Sequence, residues 1–308
     1  MKHPTHETVA GARYLALRAL GRTQGRSTAE LLQLYALEGF LARLASSPHR
    51  ERMVLKGGVL LAAMDARRPT RDVDVLALRA SNDVEAVRVL VSEVVLLPLD
   101  DGLLLEPGEA EAIREGDAYA GVRVNIRGSL ASARLAFHVD VNVGDPVWPG
   151  PVSVALPRLL EDEPVVLLGY PLSMVLAEKL VTALQRGTAN TRWRDFADIY
   201  LLAQRHVIEG LELQRAVGEV ASFRGVPLTP IVQVLEGFAE IGQARWAIWR
   251  RNQGLDARLP AQLADVVSLV IRLADPVVLQ KAGEHCWRPD TLAWERASQV
   301  RQGRRDWD

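Results

Sequence analysis

The spacing of apolar residues predicts helices over the first fifty positions of the chain. Apolar side chains recur every three or four residues over 8–24 and again over 28–47, which is the period of an amphipathic helix. The second helix has a start signal, because Ser27 or Thr28 can serve as N-cap and Glu30 adds an acidic group to the first turn. We therefore predict two helices before the first strand.

The period changes after residue 52, where short apolar runs replace the helical pattern. MVLKGG is typical of a short strand ending in glycine, VLLAAMDA of a brief helix, and DVDVLAL of a second strand. Residues 83–97 return to the helical period. Strict alternation from 119 to 143 around the link SLAS predicts a long antiparallel hairpin, and PVVLLGY adds a last strand. This half of the chain therefore combines strands and helices.

From Pro171 onward the pattern is helical almost to the end of the chain. Five helices are predicted, over residues 171–187, 192–206, 211–223, 229–252 and 261–282. The change of pattern divides the chain near residue 165. We predict two domains, 1–165 and 166–308, which also suits the length of 308 residues.

Composition and charge exclude several classes of protein. No apolar run reaches the roughly 18 residues of a membrane-spanning helix, and the N-terminus has no apolar secretory segment, so we expect a cytoplasmic protein without a membrane partner. The single cysteine, Cys286, excludes an internal disulfide and a cysteine-based zinc site. The formal net charge of −1 confines any nucleic-acid contact to local clusters such as Arg67, Arg68 and Arg71.

Two aspartates interrupt the apolar pattern of DVDVLAL. Asp72 and Asp74 stand two positions apart, so both side chains leave one face of the strand and repel unless a cation lies between them. Asp140, in FHVDVNV, has similar apolar surroundings and could supply a third carboxylate from a neighbouring strand. Such oxygen ligands suit Mg²⁺, with Mn²⁺ as the alternative, so we predict a metal site at these three aspartates. We expect the adjacent His138 to face the other side of its strand.

A Gly-Gly pair separates the MVLK strand from the brief helix. Gly57 and Gly58 allow the backbone to approach a ligand closely, and the N–H groups that open the helix can face an anion such as a nucleoside triphosphate. A triphosphate, a metal and an activated hydroxyl together give in-line transfer of a nucleotidyl group. D-x-D and Gly-Gly each occur widely without function, and it is their ordered combination that favours this chemistry.

The ordered motifs resemble those of a known group of enzymes. Gly-Gly, DVDV and HVDVN, in this order, resemble the signature of DNA polymerase β-type nucleotidyltransferases. LKGGVLL with TRDVDV, and AEKLVTALQRG with TRWRDFADIYLL, resemble the AbiEii-type nucleotidyltransferase toxins of type IV toxin–antitoxin systems. This resemblance implies an α+β fold, in which a nucleotidyltransferase domain with a mixed sheet precedes an all-helical domain that completes the active-site cleft.

The resemblance also implies an activity, partners and site residues. It implies transfer of NMP from an NTP to the 3′ end of tRNA, which blocks aminoacylation and growth, and restraint by a cognate antitoxin. The catalytic residues it implies are Asp72, Asp74, Lys179 and Asp195. The expected nucleotide-binding residues are Gly57, Gly58, Thr70, Arg71 and Lys179. Thr70 is also a hydroxyl that a partner could modify in order to block the site.

Lys179 and Asp195 stand on two predicted helices of the second domain. The leucine stripe of its helix leaves Lys179 on another face, where the resemblance implies that it neutralises triphosphate charge. An ordinary solvated lysine is the alternative. Asp198 shares a helical face with Asp195 and is the alternative active-site carboxylate. Ion pairs with Arg192 and Arg194 would explain both aspartates without any function.

Other functions stay open at this point. An enzyme of the same fold could modify a small molecule such as an aminoglycoside, or protein hydroxyls. A catalytically inactive protein could keep the fold as a binding module, although the intact carboxylate set argues against it.

Overall fold

A computed structural model describes residues 4–114 and 120–297 of the chain. The elements up to residue 169 are α1 (Val9–Gln24), α2 (Thr28–Ser46), β1 (Met53–Lys56), α3 (Gly57–Leu60), β2 (Asp72–Ala77), α4 (Val84–Val95), β3 (Leu103–Arg114), β4 (Ala120–Leu130), β5 (Ala133–Val143), β6 (Val152–Leu156) and β7 (Val165–Gly169). The later elements are α5 (Leu172–Arg186), α6 (Trp193–Ala203), β8 (Ile208–Glu209), α7 (Gly210–Arg224), α8 (Ile231–Val234), α9 (Phe238–Asn252), α10 (Leu263–Val278), β9 (His285–Arg288) and β10 (Ala293–Arg296). The fold is α+β, as predicted.

The chain divides into two compact units. The first consists of the described residues up to Ala63 together with Arg67–Asp145 and Pro151–Gly169. The second consists of Met64–Ala66, Pro146–Gly150 and the described residues from Tyr170 onward. No helix in the described ranges has both the length and the apolar character needed to cross a bilayer.

Seven strands of the first unit form one sheet in the order β3-β4-β5-β2-β1-β7-β6. β2 runs parallel to β5 and β1 runs parallel to β7, whereas the other neighbours are antiparallel. The predicted hairpin is confirmed as β4 and β5, which pair from Gly121 opposite Asn142 to Leu130 opposite Ala133. Residue 119, where the prediction began, lies outside the described residues.

The alternation of valine and aspartate gives the central strands one buried face. Val73 and Val75 of β2 are completely buried, and they lie directly opposite Val139 and Val141 of β5. Helix α2 packs on this face, where the ring of Phe40 lies 6.2 Å from that of Phe137 in an edge-to-face arrangement. Burying each such side chain contributes about 1.5–3 kcal/mol. Because strand residues alternate between faces, the aspartates lie on the other side of the sheet.

The helix start signals act as the sequence predicts. Ser27 is the N-cap of α2, because its side chain accepts a hydrogen bond from the Glu30 backbone N–H at 3.1 Å. The brief helix after β1 is the single turn α3 followed by a 3₁₀ turn over Leu61–Met64. The predicted helix 229–252 is two helices, α8 and α9, because Gly237 between them adopts a left-handed conformation with φ of 74°.

The second unit is mainly helical and adds a small sheet that the sequence pattern did not predict. Strands β8, β9 and β10 form this sheet in the order β10-β9-β8. The helices pack through aromatic side chains, with the ring of Phe238 lying 4.9 Å from Phe196 and 5.5 Å from Trp193. Trp287, on β9, is completely buried and donates a hydrogen bond from Nε1 to the Ala203 carbonyl at 2.8 Å. A large apolar side chain therefore anchors β9 within the second unit.

Candidate active site

Three aspartates share one face of the central strands β2 and β5. Asp74 lies directly opposite Asp140 across the parallel pair, and Asp72 lies opposite His138. Neighbouring strands are about 4.8 Å apart, so side chains at directly opposite positions lie next to each other. Asp140 is buried, with 7% of its surface exposed, and the other two aspartates are half-buried. The fold therefore gathers three negative charges at one patch, which we call the aspartate patch.

His138 also faces the aspartate patch, so the prediction of its orientation was wrong. Its Nε2 lies 3.9 Å from Oδ2 of Asp72 and 3.9 Å from Oδ2 of Asp140. Residues two apart on a strand project to the same face, so the alternation that placed Asp72 beside Asp74 also places His138 beside Asp140. Within the described part of the chain, this buried nitrogen has no hydrogen-bond partner.

Arg123 of β4 is a patch residue that sequence reasoning missed. It lies directly opposite Asp140, and its guanidinium grips both carboxylate oxygens, from Nε to Oδ1 at 2.8 Å and from Nη2 to Oδ2 at 2.7 Å. Hydrogen bonding to Asp140, helped by the charges of Asp140, Asp72 and Glu111, raises the pKa of Arg123 in spite of partial burial. Arg123 therefore stays protonated and places a permanent positive charge next to Asp140.

Lys56 is a second missed cation, at the end of β1. It lies directly opposite Asp74, is 9% exposed, and its Nζ donates to Oδ2 of Asp145 at 2.7 Å. Lys56 and Arg123 thus stand on the strands that flank β2 and β5. Because buried carboxylates need compensating charge, the two cations stabilise the aspartate patch.

The Gly-Gly pair is required by close packing against the patch. Gly57 has a left-handed backbone with φ of 66°, and a Cβ at this position would overlap the carboxylate of Asp74. A Cβ at Gly58 would come within 2.8 Å of the Thr70 hydroxyl. The glycines therefore allow the backbone after β1 to touch two of the predicted site residues. The following helix has only one turn, and the predicted role of the pair in holding phosphate stays a prediction.

Thr70 and Arg71 precede β2 and differ in their surroundings. The Thr70 hydroxyl donates a hydrogen bond to Oδ1 of Asp72 at 2.6 Å, which orients that carboxylate. The side chain of Arg71 is exposed. Their predicted contacts with a nucleotide, and the modification of Thr70 by a partner, stay predictions.

Lys179 lies in a separate ion cluster of the second unit. Its Nζ, on α5, donates to Oδ1 of Asp195 at 3.2 Å and to Oδ2 of Asp198 at 2.7 Å, both on α6. Its side chain is only 11% exposed, which does not match an ordinary solvated lysine. Sequence reasoning left the choice between the two aspartates open, and the structure places both against the lysine.

Asp195 has a second cationic partner in addition to Lys179. It also receives an ion pair from Arg192, with Nε 2.8 Å from Oδ2, as the spacing on the helix predicts. Burial by itself raises the pKa of Asp195, but the charges of Lys179, Arg192 and Arg194 outweigh burial and hold it below its ordinary value. The carboxyl group is therefore kept ionised in an interior position.

The aspartate patch has the donor chemistry of a divalent cation site, but it is not preassembled. Over residues 4–114 and 120–297, no three His, Cys, Asp or Glu side chains stand together as a ready set of metal ligands. The oxygen donors and their common face fit a hard divalent cation. Both oxygens of Asp140, however, are engaged by Arg123. Metal binding by Asp72, Asp74 and Asp140 therefore stays a prediction.

Comparisons with known proteins place the chain in a family. The structure is similar to the crystal structure of JHP933 from Helicobacter pylori, with a TM-score of 0.47, 14% sequence identity, and coverage of 83% of this chain and 94% of that chain. It is also similar to that of an H. pylori protein proposed to be a nucleotidyltransferase, with a TM-score of 0.46, 14% identity, and coverage of 83% and 97%. No curated protein matches the sequence. Residues 39–267, more than half of the chain, match the family described as the nucleotidyl transferase AbiEii toxin of type IV toxin–antitoxin systems. The chain belongs to this family of nucleotidyltransferase toxins.

Proposed function

We propose that the protein transfers a nucleoside monophosphate from an NTP to the 3′ end of tRNA in the cytoplasm, and thereby blocks aminoacylation and growth. Membership of the family implies nucleotidyl transfer, an NTP substrate and an antitoxin partner. The acceptor and the growth block are the proposal. The observation that carries it is the common face of Asp72, Asp74 and Asp140, which meets the backbone at Gly57.

The proposed reaction is an in-line substitution at phosphorus. The 3′ oxygen of the acceptor forms a bond to the α-phosphorus, the bond from that phosphorus to the bridging oxygen breaks, and pyrophosphate leaves. The proton of the attacking hydroxyl passes to water. Asp72, Asp74 and Asp140 would hold Mg²⁺, or Mn²⁺ as the alternative, and the bound ion would supply charge neutralisation and a more acidic attacking hydroxyl.

The surroundings of the patch contain cationic side chains that could meet a nucleotide. Arg67 and Arg68 lie close to Gly58 and Thr70, in the lining of one small pocket. Cationic side chains near a triphosphate offset its charge and fix its orientation. We assign Gly57, Gly58, Thr70 and Arg71 to nucleotide binding, because the two glycines bring the backbone against Asp74 and Thr70 and because Arg71 is an exposed cation next to Thr70.

Lys179 and Asp195 complete the proposed catalytic set. In this assignment Lys179 neutralises triphosphate charge, and Asp195 orients the lysine through the hydrogen bond that joins them. Asp198 holds the same ammonium group more closely, at 2.7 Å, and so shares the orienting role. A lysine that two carboxylates already hold in place loses little side-chain conformational entropy when it binds a phosphate.

A labelled-nucleotide experiment tests the proposal directly. Each of the four NTPs, labelled at the α-phosphate, is incubated with the protein, Mg²⁺ and separate pools of total tRNA, cellular protein and aminoglycosides. We expect label only in the tRNA pool, lost after removal of the 3′ nucleotide by an exonuclease. Label in the drug or protein pool would instead assign a small-molecule or protein acceptor. No label in any pool, with folded protein, would point to an inactive binding module.

A further inference from the structure

We propose that Arg123 is an internal competitor of the metal ion, which holds Asp140 until a divalent cation displaces it and thereby sets the metal affinity of the site. This inference rests on the proposed function, since it concerns the metal that the aspartates would hold. It assigns to Arg123 a positioning role, exercised through Asp140 rather than through contact with substrate.

The contact between Arg123 and Asp140 leaves little freedom for a ligand. Each oxygen of Asp140 accepts one N–H from the guanidinium fork, at 2.8 and 2.7 Å, and the carboxylate side chain is only 9% exposed. A cation bound between Asp74 and Asp140 would lie within a few ångströms of the positive guanidinium. The arginine therefore opposes metal binding twice, by occupying the oxygens and by repelling the ion.

The surroundings of Arg123 allow its side chain to move away from Asp140. Its side chain is 34% exposed, so the guanidinium can swing toward solvent without leaving a buried cavity. Glu111 of β3 lies directly opposite Arg123 on the other side of β4, and its side chain is exposed. A released guanidinium can therefore pair with Glu111 instead of Asp140. The site then has two arrangements, one with Arg123 on Asp140 and one with Arg123 on Glu111.

The arginine can also compensate the charge of the patch when no metal ion is bound. Asp72, Asp74 and Asp140 share one face, and like charges at such spacing destabilise a sheet unless a cation compensates them. Arg123 supplies that cation in the metal-free protein. A metal ion that binds here has to displace this positive charge. Removing Arg123 should therefore tighten metal binding.

The test is a direct measurement of Mn²⁺ affinity on the full chain, by electron paramagnetic resonance titration of free Mn²⁺. The variant is Arg123→Gln, and the matched control is Arg127→Gln, which removes the same charge from an exposed position on the same face of β4. We expect Arg123→Gln to bind Mn²⁺ at least about tenfold more tightly than the wild type, because a charge-assisted pair with a buried carboxylate changes an equilibrium by about that factor. Arg127→Gln should bind like the wild type.

Two further variants make the result specific to the pair. Arg123→Lys keeps the charge but loses the fork, and we expect it to lie between the wild type and Arg123→Gln. It also replaces Arg123→Gln if circular dichroism shows that the latter does not fold. In an Asp140→Asn background, Arg123→Gln should change the affinity less than it does in the wild-type background, because only the repulsion of the ion is left. The double-mutant cycle isolates the coupling of these two residues.

Failure of this inference and failure of the proposed function give different results. Mn²⁺ binding that is equal in wild type, Arg123→Gln and Arg123→Lys, or weaker in both variants, overturns the role of Arg123 and leaves metal-dependent transfer intact. No Mn²⁺ binding to any folded variant overturns the metal site itself, and with it the competition that we propose.

Discussion

At the scale of single residues, Gly57 is the position where backbone conformation and site geometry depend on each other. Its left-handed φ of 66° excludes most side chains, and the Asp74 carboxylate fills the space that a Cβ would take. Gly144 provides a matched comparison, since its φ of 89° is also positive but, apart from its chain neighbours, none of the described residues comes within 4 Å of a Cβ built there. Substituting each glycine by alanine therefore separates the free-energy cost of a left-handed alanine, which applies at both positions, from the cost of a steric clash, which applies only at Gly57.

We predict that Gly57→Ala destabilises the protein more than Gly144→Ala does. Both substitutions should cost about 1–2 kcal/mol for a left-handed alanine. Gly57→Ala should cost about 1–3 kcal/mol more, because Asp74 has to move out of a packed position. Urea denaturation of the two variants and the wild type measures the difference. Equal losses of unfolding free energy would mean that Asp74 does not depend on the glycine.

The pKa of Asp195 predicts how its contribution to stability changes with pH. Its folded-state pKa lies below the ordinary 3.8, so its stabilisation is fully present above that value and is lost as pH falls through the folded pKa. We predict that Asp195→Asn is less stable than the wild type at pH 7, and that this difference shrinks steadily below about pH 4. Denaturation from pH 7 to pH 3 measures it. A difference that is independent of pH would contradict an ionised, charge-paired Asp195.

At the scale of elements, helices α5 and α6 are joined by a charge cluster as well as by apolar packing. Lys179 reaches from α5 to both aspartates of α6, and Asp198 is completely inaccessible to solvent. Removing one partner from a buried ion cluster leaves the opposite charges uncompensated, which costs far more than losing a pair at the surface. The cluster therefore ties the stability of this helix pair to one lysine.

We predict that Lys179→Met destabilises the protein by about 3–5 kcal/mol, because two buried carboxylates lose their shared cation. Lys281→Met is the control, since it removes the same group from an exposed position of the same unit. Adding Asp198→Asn to Lys179→Met should restore part of the loss by removing one of the two buried negative charges. Thermal unfolding of the four proteins checks this. If Lys179→Met were as stable as the wild type, the ion cluster would not contribute to stability.

Sequence reasoning predicted the elements with a long, regular period, and also short strands such as β1 and β7 that coincide with a run of apolar residues. The β4–β5 hairpin alternates over more than twenty residues and was predicted with its turn. β3 was missed because Pro107 and Gly108 lie where its register with β4 shifts, which breaks the alternation. β8 has two residues, and β9 and β10 have four each without a continuous apolar run, so no strand pattern is visible in the sequence.

The candidate site was predicted in its acidic residues and missed in its cations. An aspartate among valines is conspicuous, whereas Arg123 looks like any polar position of an alternating strand. The signal was nevertheless present, because a turn at residues 131–132 pairs Leu130 with Ala133 and so carries Arg123 opposite Asp140. The orientation of His138 followed from the same alternation that placed the aspartates. Lys56 could be assigned only once the β1–β2 pairing was known.

At the scale of the whole molecule, the proposed function joins a chemical step to arrest of growth. Asp72 is the position where that link can be broken with the least disturbance to the fold. It is half-buried, and asparagine preserves its size and can still accept the hydrogen bond from Thr70. The substitution also removes one of three like charges from a single face, so the unfolding free energy should be unchanged or higher.

We predict that Asp72→Asn abolishes both nucleotide transfer to tRNA and growth inhibition, because the proposed metal site would lose a charged oxygen donor and half of its D-x-D pair. Asp162→Asn, at an exposed position of the same unit, should inhibit growth as the wild type does. Growth after induced expression without antitoxin, expression level, circular dichroism and label in tRNA are measured on the same three proteins. Equal growth inhibition by wild type and Asp72→Asn, at equal expression and with the fold retained, would separate toxicity from the aspartate patch. Loss of transfer with toxicity retained would instead place the toxic activity elsewhere in the chain, so the paired readouts decide whether the chemistry is the cause of growth arrest.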